Sequence, residues 1–124
     1  MKSHFDQLDA IAFQLIAALE QYEDDVGVLV RGWHTDQDME RYALVSRKVD
    51  EIRNLCAALP TLAAQWVTVL ISHAELMHGL LRLARPAAEA SLLEEQLLDH
   101  LGAVAALRSK CRRMLLAGKN GRPS

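Results

Sequence analysis

Residues 61–84, TLAAQWVTVLISHAELMHGLLRLA, carry one acid, Glu75, and one base, Arg82. Two neighbouring apolar seams run through the stretch at alternating three- and four-residue steps. Leu62, Trp66, Val69, His73, Leu76, Leu80 and Leu83 form one; Ala63, Val67, Leu70, Ala74, Met77, Leu81 and Ala84 form the other. A single polar stripe remains for water: Thr61, Gln65, Thr68, Ser72, Glu75, Gly79 and Arg82. This spacing predicts a helix, and the narrow stripe predicts that the helix is almost wholly buried. Gln65, Ser72, His73 and His78 are disfavoured by lipid, so the helix is expected in a protein core and no membrane partner is expected. A lone bundle of this length leaves each helix a wide wetted face, so a second copy of the chain is expected to cover the remainder.

Outward from this helix, three breaks divide the chain into four segments: around Gly32 to Thr35, at Pro60, and from Arg85 to Ser91. Segment one starts behind Ser3 and carries Phe5, Leu8, Ala12, Leu15, Leu19, Tyr22, Val26, Leu29 and Trp33 on one line. Gly27 is expected to kink or fray its last turns. Thr35 with Asp38 reads as the cap of segment two, whose seam is Tyr42, Val45, Val49, Ile52, Cys56 and Leu59. Pro60 then forces Leu59 out of the helical region. Ser91 with Glu94 reads as a capping box for segment four, with a seam of Leu93, Leu97, His100, Val104, Leu107, Cys111 and Met114 that ends near Gly118.

Apolar residues make up 51% of the 124 positions and aromatics 5%, a mixture that favours helix over sheet. The expected fold is all-α: an antiparallel up-down-up-down four-helix bundle, homodimeric, with one domain over residues 1–118 and a disordered tail over 119–124. Asp6 and Asp9 interrupt any apolar run that a signal peptide would need. Cys56 and Cys111 lack the spacing of a zinc knuckle or redox pair and fit a reducing, cytoplasmic setting as small core residues.

Charge is unevenly spread: residues 1–40 hold nine acids and two bases, and residues 108–124 hold six bases and no acid. In the up-down arrangement this predicts an acidic pole (Glu23, Asp24, Asp25, Asp36, Asp38, Glu40, Glu94, Glu95) and a basic one (Arg53, Arg108, Lys110, Arg112, Arg113). Complementing the helix dipole accounts for the basic run, and no nucleic-acid partner is expected.

Residues with chemical potential are few. His73 and His100 lie mid-seam at about one level, where they are positioned to bind a metal together with Glu20 or Glu23. A buried imidazole that bonds a neighbouring group or fixes helix register is the competing account. Glu75-x-x-His78 has the spacing of one half of a di-iron motif, but no second copy exists and Glu75 lies on the polar stripe. His78-Gly79-Leu80-Leu81 bears comparison with histidine phosphotransfer domains, which display one reactive His on a four-helix scaffold. Leu81 and Arg82 stand where those domains carry Lys-Gly, so the match is partial. There is no Gly-x-Ser-x-Gly elbow and no phosphate-binding loop. The expectation is a non-enzymatic interaction bundle with no catalytic residue and no cofactor. It acts as a homo-oligomer on an unidentified protein client, as adaptors and export chaperones do, and meets that client through Gln65, Ser72, Glu75, His78 and Arg82. The alternative is a site-bearing bundle that uses His73 and His100 for metal, or His78 for phosphate.

Overall fold

The first seam runs along one uninterrupted helix. Ala12, Leu15, Leu19, Tyr22, Val26, Leu29 and Trp33 are all buried, and α1 (His4–Gly32) passes through Gly27 without a break. The computed structural model describes residues 4–33, 35–82 and 86–121, with side chains at 7–33, 35–82 and 91–116. The Ser3 cap expected for α1 lies outside the described residues.

Asp38, rather than Thr35, caps α2 (Met39–Ala57): its carboxylate accepts from the Arg41 amide at 3.0 Å. The reason is local. The Thr35 and Asp36 amides already bond the Gly32 carbonyl at 3.1 and 2.9 Å, so both residues belong to the turn that leaves α1. Asp38 is extended, three residues before an open helix-start donor. Val45, Val49, Ile52 and Cys56 form the buried face of α2. Leu59, held non-helical before proline, ends the segment, and a 3-10 turn (Pro60–Leu62) leads into α3 (Ala63–Leu81). α4 (Pro86–Gly121) starts at Pro86, so Ser91 lies inside the helix instead of capping it. Proline is well placed in a first turn, where its missing amide would have no helical partner. The expected tail begins within the last turn of α4, and residues 122–124 lie outside the described residues.

The result is an all-α four-helix bundle in which α1 packs on α2 and α4, and α3 packs on α4. Between α2 and the segment Pro60–Leu81 the chain axis turns through 119°, well short of the ~160° of an antiparallel pair crossing at about 20°. α3 therefore splays away from α2, and the two helices touch little.

That splay changes the expected burial of α3. Its first seam is inside: Leu62, Val69, Leu76 and Leu80 are at most 1% exposed, and His73 is buried with them. Its second seam is divided, with Val67 50% and Leu81 57% exposed and Ala63 and Ala74 exposed beside them, while Leu70 is half-buried and Met77 buried; Ile71, which belongs to neither seam, is 54% exposed. The polar stripe turns partly inward, toward α4. Only part of the expected enclosure is thus provided by one chain. Among the described residues, no single helix is long and apolar enough to cross a membrane.

Each fully buried Leu of the inner seam contributes about 2 kcal/mol through removal from water. Leu80→Asp places a carboxylate at a site that is 1% exposed, with an expected loss above ~4 kcal/mol. Circular dichroism of this variant is expected to show lost helix and a collapsed melting transition. A fully helical Leu80→Asp protein would disprove the seam assignment.

Candidate functional site

Among the described residues most of the core is hydrocarbon, which makes a polar cluster within it conspicuous. Tyr22 on α1 is fully buried, and an enclosed phenol needs partners. It has two: its hydroxyl lies 2.7 Å from His73 Nδ1 on α3 and 2.5 Å from His100 Nε2 on α4. The other nitrogen of His100, Nδ1, lies 2.5 Å from Ser72 Oγ, which donates to the Val69 carbonyl at 3.1 Å. The rings pack as well, with His73 and His100 centroids 6.0 Å apart and Tyr22 edge-on to His100 at 85°.

One proton arrangement satisfies every link. Ser72 has a single proton and gives it to Val69, so His100 Nδ1–H must donate to Ser72 Oγ. His100 Nε2 is then an acceptor and receives the Tyr22 O–H, while the Tyr22 oxygen accepts from His73 Nδ1–H. All four bonds run head to tail from α3 through α1 and α4 and back to α3. The chain stops at a peptide carbonyl, so it conducts no proton through the protein. It fixes three helices at one height.

Burial sets the charge of these groups. It holds both imidazoles well below the ordinary histidine range, at about 4 each, with His100 pushed down further by His73. Burial likewise raises the Tyr22 phenol above its usual range. At neutral pH the cluster is therefore uncharged.

The structure brings His73 and His100 together as their seams imply, with the Tyr22 hydroxyl between them. Glu20 and Glu23, the carboxylates considered for a metal, are engaged elsewhere: Glu20 pairs with Arg112 at 3.2 Å and Glu23 with Arg108. No group of three or more His, Cys, Asp or Glu among the described residues has the geometry to hold a metal ion. Tyr22 is not among the residues singled out from the sequence, and Ser72 is expected there to meet a partner, not to join the core cluster. Tyr22 was counted as an apolar seam residue, and Ser72 was assigned to water. A buried hydroxyl at the level of two seam histidines was the available signal.

The five residues expected to meet a partner fall into two groups. Gln65 and Ser72 are half-buried against α4, where Gln65 Oε1 accepts from Lys110 Nζ at 3.0 Å. Glu75, His78 and Arg82 are exposed, and His78 Nε2 lies 3.3 Å from an Arg82 guanidinium nitrogen. These three and Gly79 line a groove of about 450 Å³, closed on the α4 side by Leu92 and Gln96. A Cβ at Gly79 would stand 3.0 Å from Gln96 Oε1, the movable end of that side chain.

The residues expected at separate acidic and basic poles meet at one pair, Glu23 with Arg108. α1 and α4 lie side by side, so acids of one meet bases of the other along their length: Arg31 with Glu94 at 3.1 Å, Glu23 with Arg108, and Glu20 with Arg112. Arg108 Nε is nonetheless buried without a hydrogen-bond partner. Both cysteines are free and buried, and burial raises both thiols, Cys56 to about 12.

Comparison with family models, with curated proteins and with solved structures finds no match in any of the three.

Two outcomes follow from the cluster. Tyr22→Phe leaves His73 Nδ1 and His100 Nε2 without their shared partner, and is expected to lower stability by about 2 to 4 kcal/mol in urea unfolding at pH 7. The histidine values fall on folding from 6.5 to about 4, so the unfolded chain binds more protons between those limits. Stability is therefore full above pH ~6.5 and declines as pH falls toward ~4, by about 3 kcal/mol for each imidazole. Unfolding midpoints measured at intervals from pH 7.5 to 4 are expected to trace that decline, and a flat profile would contradict it.

Proposed function

We propose that the chain is a non-enzymatic interaction bundle that works as a homo-oligomer, with the outer face of α3 covered by a second copy. The observation that carries this is the line of Val67, Ile71, Ala74 and Leu81, which holds three large apolar side chains at least half exposed on one helix. Charge supports a second copy as the occupant. Glu75 and Arg82 edge this face with opposite signs, and among the described residues neither takes part in an ion pair. A two-fold pairing sets any surface against itself, so a face that bears one acid and one base can complement its own copy. The free, buried thiols fit a reducing compartment such as the cytoplasm. Within this class, the bundle acts as an adaptor or export-chaperone-like module, sheltering an amphipathic segment of a client protein.

Light scattering after size exclusion is expected to give twice the chain mass of 13.8 kDa, and Ile71→Glu is expected to give the single-chain mass with helix content unchanged. A wild-type protein that stays monomeric at high concentration would refute self-association.

One observation favours a second reading, phosphate transfer through His78. That imidazole is exposed, and the neighbouring Arg82 guanidinium would offset phosphoryl charge. Incubation with a small phosphodonor is expected, on this reading, to add one phosphoryl group that His78→Ala abolishes. Absence of the label from wild-type protein removes it.

A further inference from the structure

We propose that the Tyr22–His73–His100–Ser72 chain is an acid-released clasp: protonating its imidazoles detaches α3 from α1 and α4 as one helix, ahead of the rest of the bundle.

The first support is how each helix is held. α3 diverges from α2 by the 119° turn and is joined to α1 by two buried side-chain hydrogen bonds. One is Tyr22 with His73; in the other, Trp33 Nε1 donates to the Leu80 carbonyl at 3.0 Å. To α4, α3 is held by the packing of its inner seam, by His100 with Ser72, and by Lys110, which donates to Gln65 at 3.0 Å. The α1–α2 and α1–α4 pairs are tied differently. Arg41 reaches Asp25 and Lys48 reaches Gln21 from α2, and Arg31–Glu94, Glu23–Arg108 and Glu20–Arg112 link α1 to α4. None of these ties includes an imidazole.

The second support is what a proton does to the chain. His100 Nδ1 already carries hydrogen, so a further proton must go to Nε2, where it faces the Tyr22 O–H donor to donor. The phenol would have to turn its proton into hydrocarbon. On His73 the proton goes to Nε2, and two protonated rings would stand with centroids 6.0 Å apart. The groups facing the two rings are Tyr22 from α1 and Ser72 from α3, with the imidazoles themselves from α3 and α4. Burial is the main cause that disfavours the charged form of both rings, and His73 disfavours it further on His100. Opening α3 gives both rings to water. With values of about 4 closed and 6.5 open, moving from pH 7 to pH 5 favours the open form about 20-fold per imidazole and ~400-fold for both.

Hydrogen exchange on the full chain, read by mass spectrometry at pH 7 and pH 5 and corrected for intrinsic rates, tests this. Peptides from residues 63–81 are expected to be less protected than those from 39–57 and 94–112 at both pH values and to lose about 100-fold or more between them, the others exchanging only through the larger global opening. Equal protection across all helices at pH 5, no loss anywhere, or lowest protection in residues 39–57 would each overturn the clasp. His73→Asn keeps a donor toward Tyr22 and removes one titrating group, so it is expected to reduce the response of residues 63–81 to about 20-fold. An undiminished response in that variant would count against the proposal. If the variant does not fold at pH 7, the wild-type profile alone decides.

Discussion

The hydroxyl of Tyr22 is the point to which the rest of the structure is referred. It is fully buried and shared by imidazoles from two other helices, so α1, α3 and α4 have one relative height at which it is satisfied. A slip of α3 or α4 by one turn, about 5.4 Å, would leave a phenol and two imidazoles without partners in hydrocarbon. Apolar seams alone tolerate such slips, because one Leu packs much like another. Polar groups that must meet do not. The cluster therefore supplies register, and the Leu-rich seams around it supply most of the driving force.

The four helices and their inner seams were legible in the sequence because a three-four spacing survives any detail of tertiary packing. Val69, Leu76 and Leu80 on α3, and Leu97, Val104 and Leu107 on α4, are buried where the spacing put them. The orientation of α3 was not legible. Both of its seams are apolar, and only the splay from α2 decides that Leu76 goes in while Val67 and Leu81 stay out. The polar stripe misled for the same reason: Ser72 and Gln65 look like water-facing residues until α4 supplies His100 and Lys110 as partners. His73 and His100 were recognisable as a pair at one level, but Tyr22 between them was hidden by its membership of an apolar seam. Helix starts were the least secure, since Thr35 and Ser91 carry cap-like signals that Asp38 and Pro86 override.

Charge shows how length alters meaning. Counted along the chain, acids gather at the start and bases at the end. In the fold, α1 with 29 residues and α4 with 36 lie against each other, and the imbalance becomes a ladder of cross-helix pairs. Exposed pairs of this kind add little stability, but they reject parallel or shifted arrangements of two long helices. Arg108 and Arg112, the residues that would otherwise suggest a phosphate-binding surface, are spent on Glu23 and Glu20. What the surface then offers a partner is the outer line of α3 and its edge charges.

Nitrogen-15 spectra of the histidine side chains at pH 7 test the head-to-tail chain most directly. The account predicts that His73 and His100 are both neutral and locked with hydrogen on Nδ1, accompanied by a slowly exchanging Tyr22 hydroxyl proton. Imidazoles that average between tautomers and titrate near 6.5 would show that the cluster does not exist in solution.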